Sequence, residues 1–179
     1  NDKAPGNGTG VYCGPVPRRA TARDILVVPD SAAAGPMADL SALAKWKPGS
    51  LNFGSPGVGT PGHLASVLFN KQAGLDATHI AYKGTGPTTV AVLGGELDYA
   101  FLTPAAVEPH MKSGKLRALA VTSRERFPAF PHVPTVAETS LPELSNFDVE
   151  IWWGVLAPEE TGLHVVDKLH AAITETGRH

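Results

Sequence analysis

The residues best suited to chemistry lie in one run, Leu51-Asn-Phe-Gly-Ser-Pro-Gly-Val-Gly-Thr-Pro-Gly62. Leu51 and Phe53 read as a short strand. Glycines follow at 54, 57, 59 and 62, and Leu64, Val67 and Leu68 then take helical spacing. Strand, glycine turn and helix start together present free backbone N–H groups to an anion. The first N–H groups of a helix have no internal partner, and the helix dipole places partial positive charge on them. Ser55 and Thr60 add hydroxyls, and Pro61 suits the first helical turn, where a missing N–H costs nothing. The turn is therefore expected to hold something small and negative.

Three anions compete for it. A phosphate loop needs Lys and then Ser or Thr after its last glycine, but Thr60 and Pro61 follow Gly59. The dinucleotide fingerprint is matched in letters by Gly57, Gly59 and Gly62. It also needs an acid at the end of the next strand to hold the ribose. That strand, Thr78–Tyr82, ends in Lys83 and Gly84. A carboxylate at the helix N-terminus needs neither group and fits best. An ordinary connecting turn would use the same letters.

Catalytic arrangements do not survive inspection. The seven histidines are scattered, and none makes a metal-binding spacing with the single cysteine, Cys13. His63 stands near a helix start, where positive charge opposes the dipole, and reads as neutral or exposed rather than catalytic. Ser55 is not a nucleophile elbow: Phe53 stands where glycine is required, and Pro56 has no N–H for an oxyanion hole. Asp98 reads as a turn or structural partner. Trp152 and Trp153, adjacent on an expected strand, would put one ring on each face. No cofactor is expected.

Elements of alternating period must position these residues. Hydrophobic residues make up 42% of 179 and charged residues 18%, which predicts a folded globular chain. A net charge of −2 without a basic cluster argues against a nucleic-acid partner. No apolar run approaches the ~20 residues that cross a bilayer. One cysteine allows no internal disulfide. No charged start followed by an apolar stretch marks a signal peptide in this chain.

Residues 1–23 are rich in glycine and proline and aperiodic, and are expected to be poorly ordered or a remnant of another lobe. Strands are expected at Ile25–Val28, Leu51–Gly54, Thr78–Tyr82, Leu97–Leu102, Leu116–Thr122 and Glu150–Leu156. Helices are expected at Met37–Trp46, Pro61–Ala73, Thr88–Leu93, Ala105–Ser113, Thr135–Thr139 and Val165–Thr176. This alternation predicts an α/β fold with an open, mostly parallel sheet flanked by helices. Ligands of such sheets bind beyond the carboxyl ends of the strands.

That rule selects two more turns. In Tyr82-Lys-Gly-Thr-Gly-Pro87, Gly84 and Gly86 permit close backbone approach and Thr85 offers a hydroxyl. In Leu102-Thr-Pro-Ala105, Thr103 is a possible N-cap with Pro104 at the first helical position. The candidate ligand-binding residues are thus Ser55, Gly57, Gly59, Thr60, Tyr82, Gly84, Thr85, Gly86 and Thr103.

Several motifs carry a family likeness in the right order: Gly54-Ser-Pro-Gly-Val-Gly-Thr60, Tyr82-Lys-Gly84, Leu93-Gly-Gly-Glu-Leu-Asp98, Gly114-Lys-Leu-Arg-Ala-Leu-Ala-Val-Thr-Ser123 and Pro131-His-Val-Pro-Thr-Val-Ala-Glu138. With Trp153-Gly154 and Ala157-Pro158 they resemble the Bug-type extracytoplasmic solute receptors of tripartite tricarboxylate transporters, over about residues 25–173. The resemblance implies one lobe of a periplasmic binding protein type II, Venus-flytrap fold. It also implies a periplasmic, non-enzymatic protein that captures a small carboxylate or related metabolite for the transporter's membrane permease subunits. The Ser55–Thr60 turn and the Tyr82–Gly86 loop would be this lobe's share of the ligand site. A nucleotide- or NAD-binding enzyme domain using the Gly54–Gly62 turn stays as the alternative.

Against that family the chain reads as a ligand-binding lobe over 24–160, with 161–179 a helix directed toward a first lobe that nothing here matches. A half-site would bind weakly. A bared lobe face around Trp152, Trp153, Val155 and Leu156 would favour self-association or a longer parent chain.

Overall fold

Ile25, Leu26, Val27 and Val28 are fully buried, and alternate residues enter two different cores. Only a strand covered on both faces is apolar without interruption. The computed structural model describes residues 11–12, 21–33, 49, 51–139, 141–152, 157–158 and 161–176. They fall into two compact units, one of Asn1–Thr21 with Trp152–His179 and the other of Ala22–Ile151.

The larger unit is built on a five-stranded sheet. Its strands are β3 (Ile25–Pro29), β4 (Leu51–Ser55), β5 (Ala77–Ala81), β6 (Tyr99–Leu102) and β7 (Leu116–Val121), in the order β5-β4-β6-β3-β7. β4 is parallel to β5 and to β6, whereas β3 is antiparallel to both β6 and β7. Four strands thus share one direction and β3 alone opposes them. The mostly parallel sheet expected from the alternation is present, and β3 is its exception. The carboxyl ends of four strands and the amino end of β3 therefore lie on one edge.

Helices cover both faces. α2 (Pro61–Ala73) packs on one side, where Phe69 meets Tyr99, Phe101 and Phe147 edge-on at centroid distances of 6.2, 5.6 and 6.4 Å. Such ring pairs add to the simple burial of apolar area. On the other side, α3 (Thr85–Leu93) and α4 (Pro104–Lys112) contribute Val92 and Val107 to a second core with Leu97, Leu102 and Val121. A four-residue α1 (Asp30–Ala33) follows β3.

Most element boundaries match the sequence reading within a few residues. α3 begins at Thr85 rather than Thr88, because Gly86 and Pro87 are tolerated in a first turn whose N–H groups are unpaired anyway. The expected 135–139 helix is a single 3-10 turn, Val136–Glu138, closed by a capping box between Thr135 and Glu138. Asp98 is structural: it accepts from Asn52 N–H at 2.6 Å and returns a backbone bond to Asn52 O at 2.9 Å. The expected helix at 37–46 lies outside the described residues, as do Trp153, Val155, Leu156 and the side chain of Trp152. The self-association expectation rested on those residues, and nothing among the described residues supports it.

In the smaller unit, β1 (Val11–Tyr12) pairs antiparallel with β9 (Ala157–Pro158), and α5 (Leu163–Thr176) follows. A further two-residue ladder joins β2 (Thr21–Ala22) to β8 (Ile151–Trp152).

One glycine fixes how closely α2 approaches the sheet. A Cβ on Gly62 would stand 2.5 Å from the carbonyl oxygen of Phe101, a backbone atom that cannot swing aside. We expect Gly62→Ala to destabilise the fold by roughly 1–3 kcal/mol, the usual range for overpacking. Urea denaturation reads this directly, and a variant as stable as the parent would show that α2 can move.

Candidate functional site

Three helices in succession start at the shared edge, and each starts without a side-chain cap. Thr60, Gly84 and Thr103 are the N-caps of α2, α3 and α4, and none places a side-chain oxygen on its helix's N–H groups. Thr60 and Thr103 are types that ordinarily cap. Elsewhere in this chain Thr135 does cap, with Glu138 completing the box. Donors left open at this edge are available to something other than the chain.

The two glycine-rich turns are joined. Tyr82 N–H donates to Ser55 O at 2.9 Å and Gly84 N–H donates to Pro56 O at 2.8 Å, so the β4–α2 and β5–α3 turns form one surface. Gly57 has φ 151°, Gly59 80° and Gly84 110°, all in the region that favours glycine. Thr60 turns its hydroxyl back onto Gly57 O at 2.7 Å, which locks the turn and leaves the helix end uncovered. The first intrahelical bond runs from Leu64 N–H to Thr60 O at 3.0 Å, so the N–H groups of Gly62 and His63 have no helical partner. Val58, in the middle of the turn, is 76% exposed, which keeps its backbone at the surface.

The nine expected residues divide by what they do here. Gly57, Gly59, Thr60, Gly84, Thr85 and Gly86 lie on the joined surface. Thr103 belongs to the next turn along, beyond β6. Tyr82 directs its hydroxyl to Glu96 Oε2 at 3.2 Å. Ser55 is fully buried, and its Oγ lies 2.7 Å from His79 Nε2 and 3.1 Å from Gly57 O. Its hydroxyl braces the turn from below.

Sequence reasoning did not find the two histidines that support this turn. His63 Nδ1 accepts from Gly59 N–H at 3.2 Å, so that nitrogen carries no proton. Its ring lies 4.3 Å from that of His79, which in turn stacks on Phe53 at 4.8 Å. Burial lowers the His79 pKa, and His63 beside it lowers it further. The His79 ring therefore serves the turn best when neutral. The signal was present in part: His79 falls on a strand adjacent to β4 and His63 on the helix that follows β4. Only the strand order places them face to face.

A second missed residue is Asp24, immediately before β3. Because β3 runs against its neighbours, Asp24 arrives at the same edge. It is 3% exposed, its backbone is bonded twice to Thr122, and its Oδ1 is buried with no hydrogen-bond partner. Its Oδ2 lies 3.5 Å from where a Cβ on Gly62 would stand, under the first turn of α2. Burial pushes its pKa up to about 6.

No cluster of three or more metal-ligating side chains occurs among the described residues, and no helix among them is long and apolar enough to cross a membrane. The geometry offers backbone N–H donors, helix dipoles and a braced turn. It can hold an anion.

Residues 14–179 match the model of the tripartite tricarboxylate transporter family receptor. Protein BugT of Bordetella pertussis is 38% identical over 136 residues, which are 76% of this chain and 41% of BugT. Among solved structures, R. palustris Rpa4515 with adipate superposes with a TM-score of 0.78 at 29% identity, covering 89% of this chain and 52% of that one. MatC from Rhodopseudomonas palustris with bound malate gives 0.78 at 30% identity, covering 90% and 54%. The periplasmic binding protein BugD gives 0.75 at 28% identity, covering 88% and 51%. The chain spans about half the length of the curated relatives it matches.

Proposed function

We propose, from the premise that this chain belongs to the tripartite tricarboxylate transporter receptor family, that it is a solute-binding lobe which receives one carboxylate of a small organic acid at the α2 N-terminus. The observation that carries this reading is the run of three uncapped helix N-termini on one sheet edge. Dipole ends and free N–H groups suit a carboxylate, and no phosphate-binding lysine follows the turn. Rpa4515 and MatC hold adipate and malate, ligands of the same chemical class. The nucleotide-binding alternative has no support: β5 ends without the ribose-binding acid, and the family is one of receptors. BugD is a periplasmic binding protein, and an extracytoplasmic place with delivery to membrane permease subunits follows for this chain as part of the same proposal.

In this reading the N–H groups of Val58, Gly62, His63, Thr85 and Gly86 supply backbone contacts, while those of Gly57, Gly59, Thr60 and Gly84 are spent inside the turns, and Ser55 and the His63–His79 pair hold the surface in place. A hydrogen bond to a charged ligand contributes roughly 1.5–3 kcal/mol. Thr60→Val removes the shortest of the three bonds onto Gly57 O and loosens the turn, and should weaken binding by about tenfold or more. Isothermal titration of the chain with malate, adipate, ATP and NAD tests the proposal. Heat from a dicarboxylate, diminished in the Thr60 variant, is the expected result. Binding of a nucleotide with no response to either acid would overturn it.

A further inference from the structure

Asp24 departs from the usual treatment of a buried carboxyl group. A buried carboxylate is ordinarily paired or fully hydrogen-bonded. Asp24 Oδ1 has no partner, although the residue is 3% exposed. Its other oxygen lies 3.5 Å from the Cβ position of Gly62, against the inner side of the α2 first turn. The outer side of that turn is the candidate carboxylate site. One helix terminus thus has the chain's own carboxyl beneath it and open N–H groups above it.

Two carboxylates sharing one positive helix end repel, and the dry surroundings of Asp24 screen that repulsion poorly. When an anion occupies the outer side, the less costly state has a neutral inner carboxyl. We propose that Asp24 makes carboxylate binding proton-coupled: it takes up a proton from solvent when an anionic ligand settles on the α2 N-terminus. The inference rests on the carboxylate reading above.

Charged and titratable groups also stand on the elements around Asp24, and the amide variant below separates it from them. Arg23 precedes it, with its guanidinium carbon 5.7 Å from the centre of the Phe127 ring. α2 carries His63 and Lys71, β6 carries the buried Tyr99, and β7 and its continuation carry Arg117, Arg124, Glu125 and Arg126. Burial is the cause of the Asp24 shift, and none of these charges contributes to it. The empty site leaves Asp24 mostly ionised at neutral pH, so a proton can be taken up there.

The test is titration calorimetry of the chain with malate and adipate at pH 7.5, in buffers of different ionisation enthalpy. The slope of observed heat against buffer enthalpy gives the protons bound. The expected uptake approaches one proton per ligand, and apparent affinity should fall about tenfold per pH unit from pH 7 to 8.5. Asp24→Asn should bind without proton uptake and with affinity nearly level across that range, and should outbind the parent at pH 8.5. Binding without uptake by the parent overturns the inference and leaves the carboxylate site standing. An uptake that persists in Asp24→Asn assigns the proton to another group and overturns it as well. No binding of either acid removes both readings together.

Discussion

Asp24→Asn should stabilise this protein at neutral pH and leave it unchanged below about pH 4. The Asp24 pKa rises from 3.8 to about 6 on folding, through burial. The folded state therefore holds a proton that the unfolded state has already lost. Stability is complete below pH 3.8, falls as pH rises, and reaches its lower level once pH exceeds about 6. A shift of this size corresponds to about 3 kcal/mol. An amide removes the charge and keeps the shape, so the variant escapes that loss, less whatever its unpaired N–H groups cost. Urea denaturation at pH 4 and pH 7.5 tests this. The two proteins should coincide at the lower pH, and the variant should lead by about 2–3 kcal/mol at the higher. Equal stability at both values would mean that Asp24 finds a partner in solution. A chain that keeps so costly a group at the edge proposed for ligand binding is behaving as functional sites do, where local rules are broken and compensated elsewhere.

Phe69→Ala should be the most damaging single truncation on α2. Phe69 is fully buried and joins Tyr99 and Phe101 of β6 to Phe147 beyond the sheet. Truncating a buried phenylalanine costs about 3–5 kcal/mol, from lost transfer free energy and from the cavity. Aromatic edge contacts add to that. The loss matters for binding because α2 holds its N-terminus over β6 through this contact and through Gly62, seven residues or about two turns earlier. If Phe69→Ala folds at low temperature, its ligand affinity should fall along with its stability. Phe69→Leu, which keeps most of the volume, should recover much of both. A loss below 1 kcal/mol in denaturant would show that the cluster repacks around the gap.

The alternation of strands and helices was legible in the letters because it depends on local periodicity. Pro61–Ala73 was read to the residue: Pro61 starts the helix, and Gly74 at φ 66° ends it. The glycine turn was legible for the same reason, since Gly57 and Gly59 occupy backbone angles that other residues resist. The edge of the sheet on which the turns gather also followed, because carboxyl ends of like-directed strands must coincide.

Other features depended on strand order and direction, which no local pattern carries. Asp24 reads only as the residue between the aperiodic segment 1–23 and the first expected strand, and only the reversed direction of β3 brings it under α2. Ser55 reads as a free hydroxyl beside the turn, yet β5 pairs with β4 and sets His79 against it, so that it faces inward. His63 and His79 are sixteen residues apart, and their ring contact follows from α2 and β5 both packing against β4. Local sequence determined that a glycine turn suited to an anion exists here. Tertiary structure decided which groups stand behind it and what charge they carry, because those contacts join residues whose separation along the chain leaves no periodic trace.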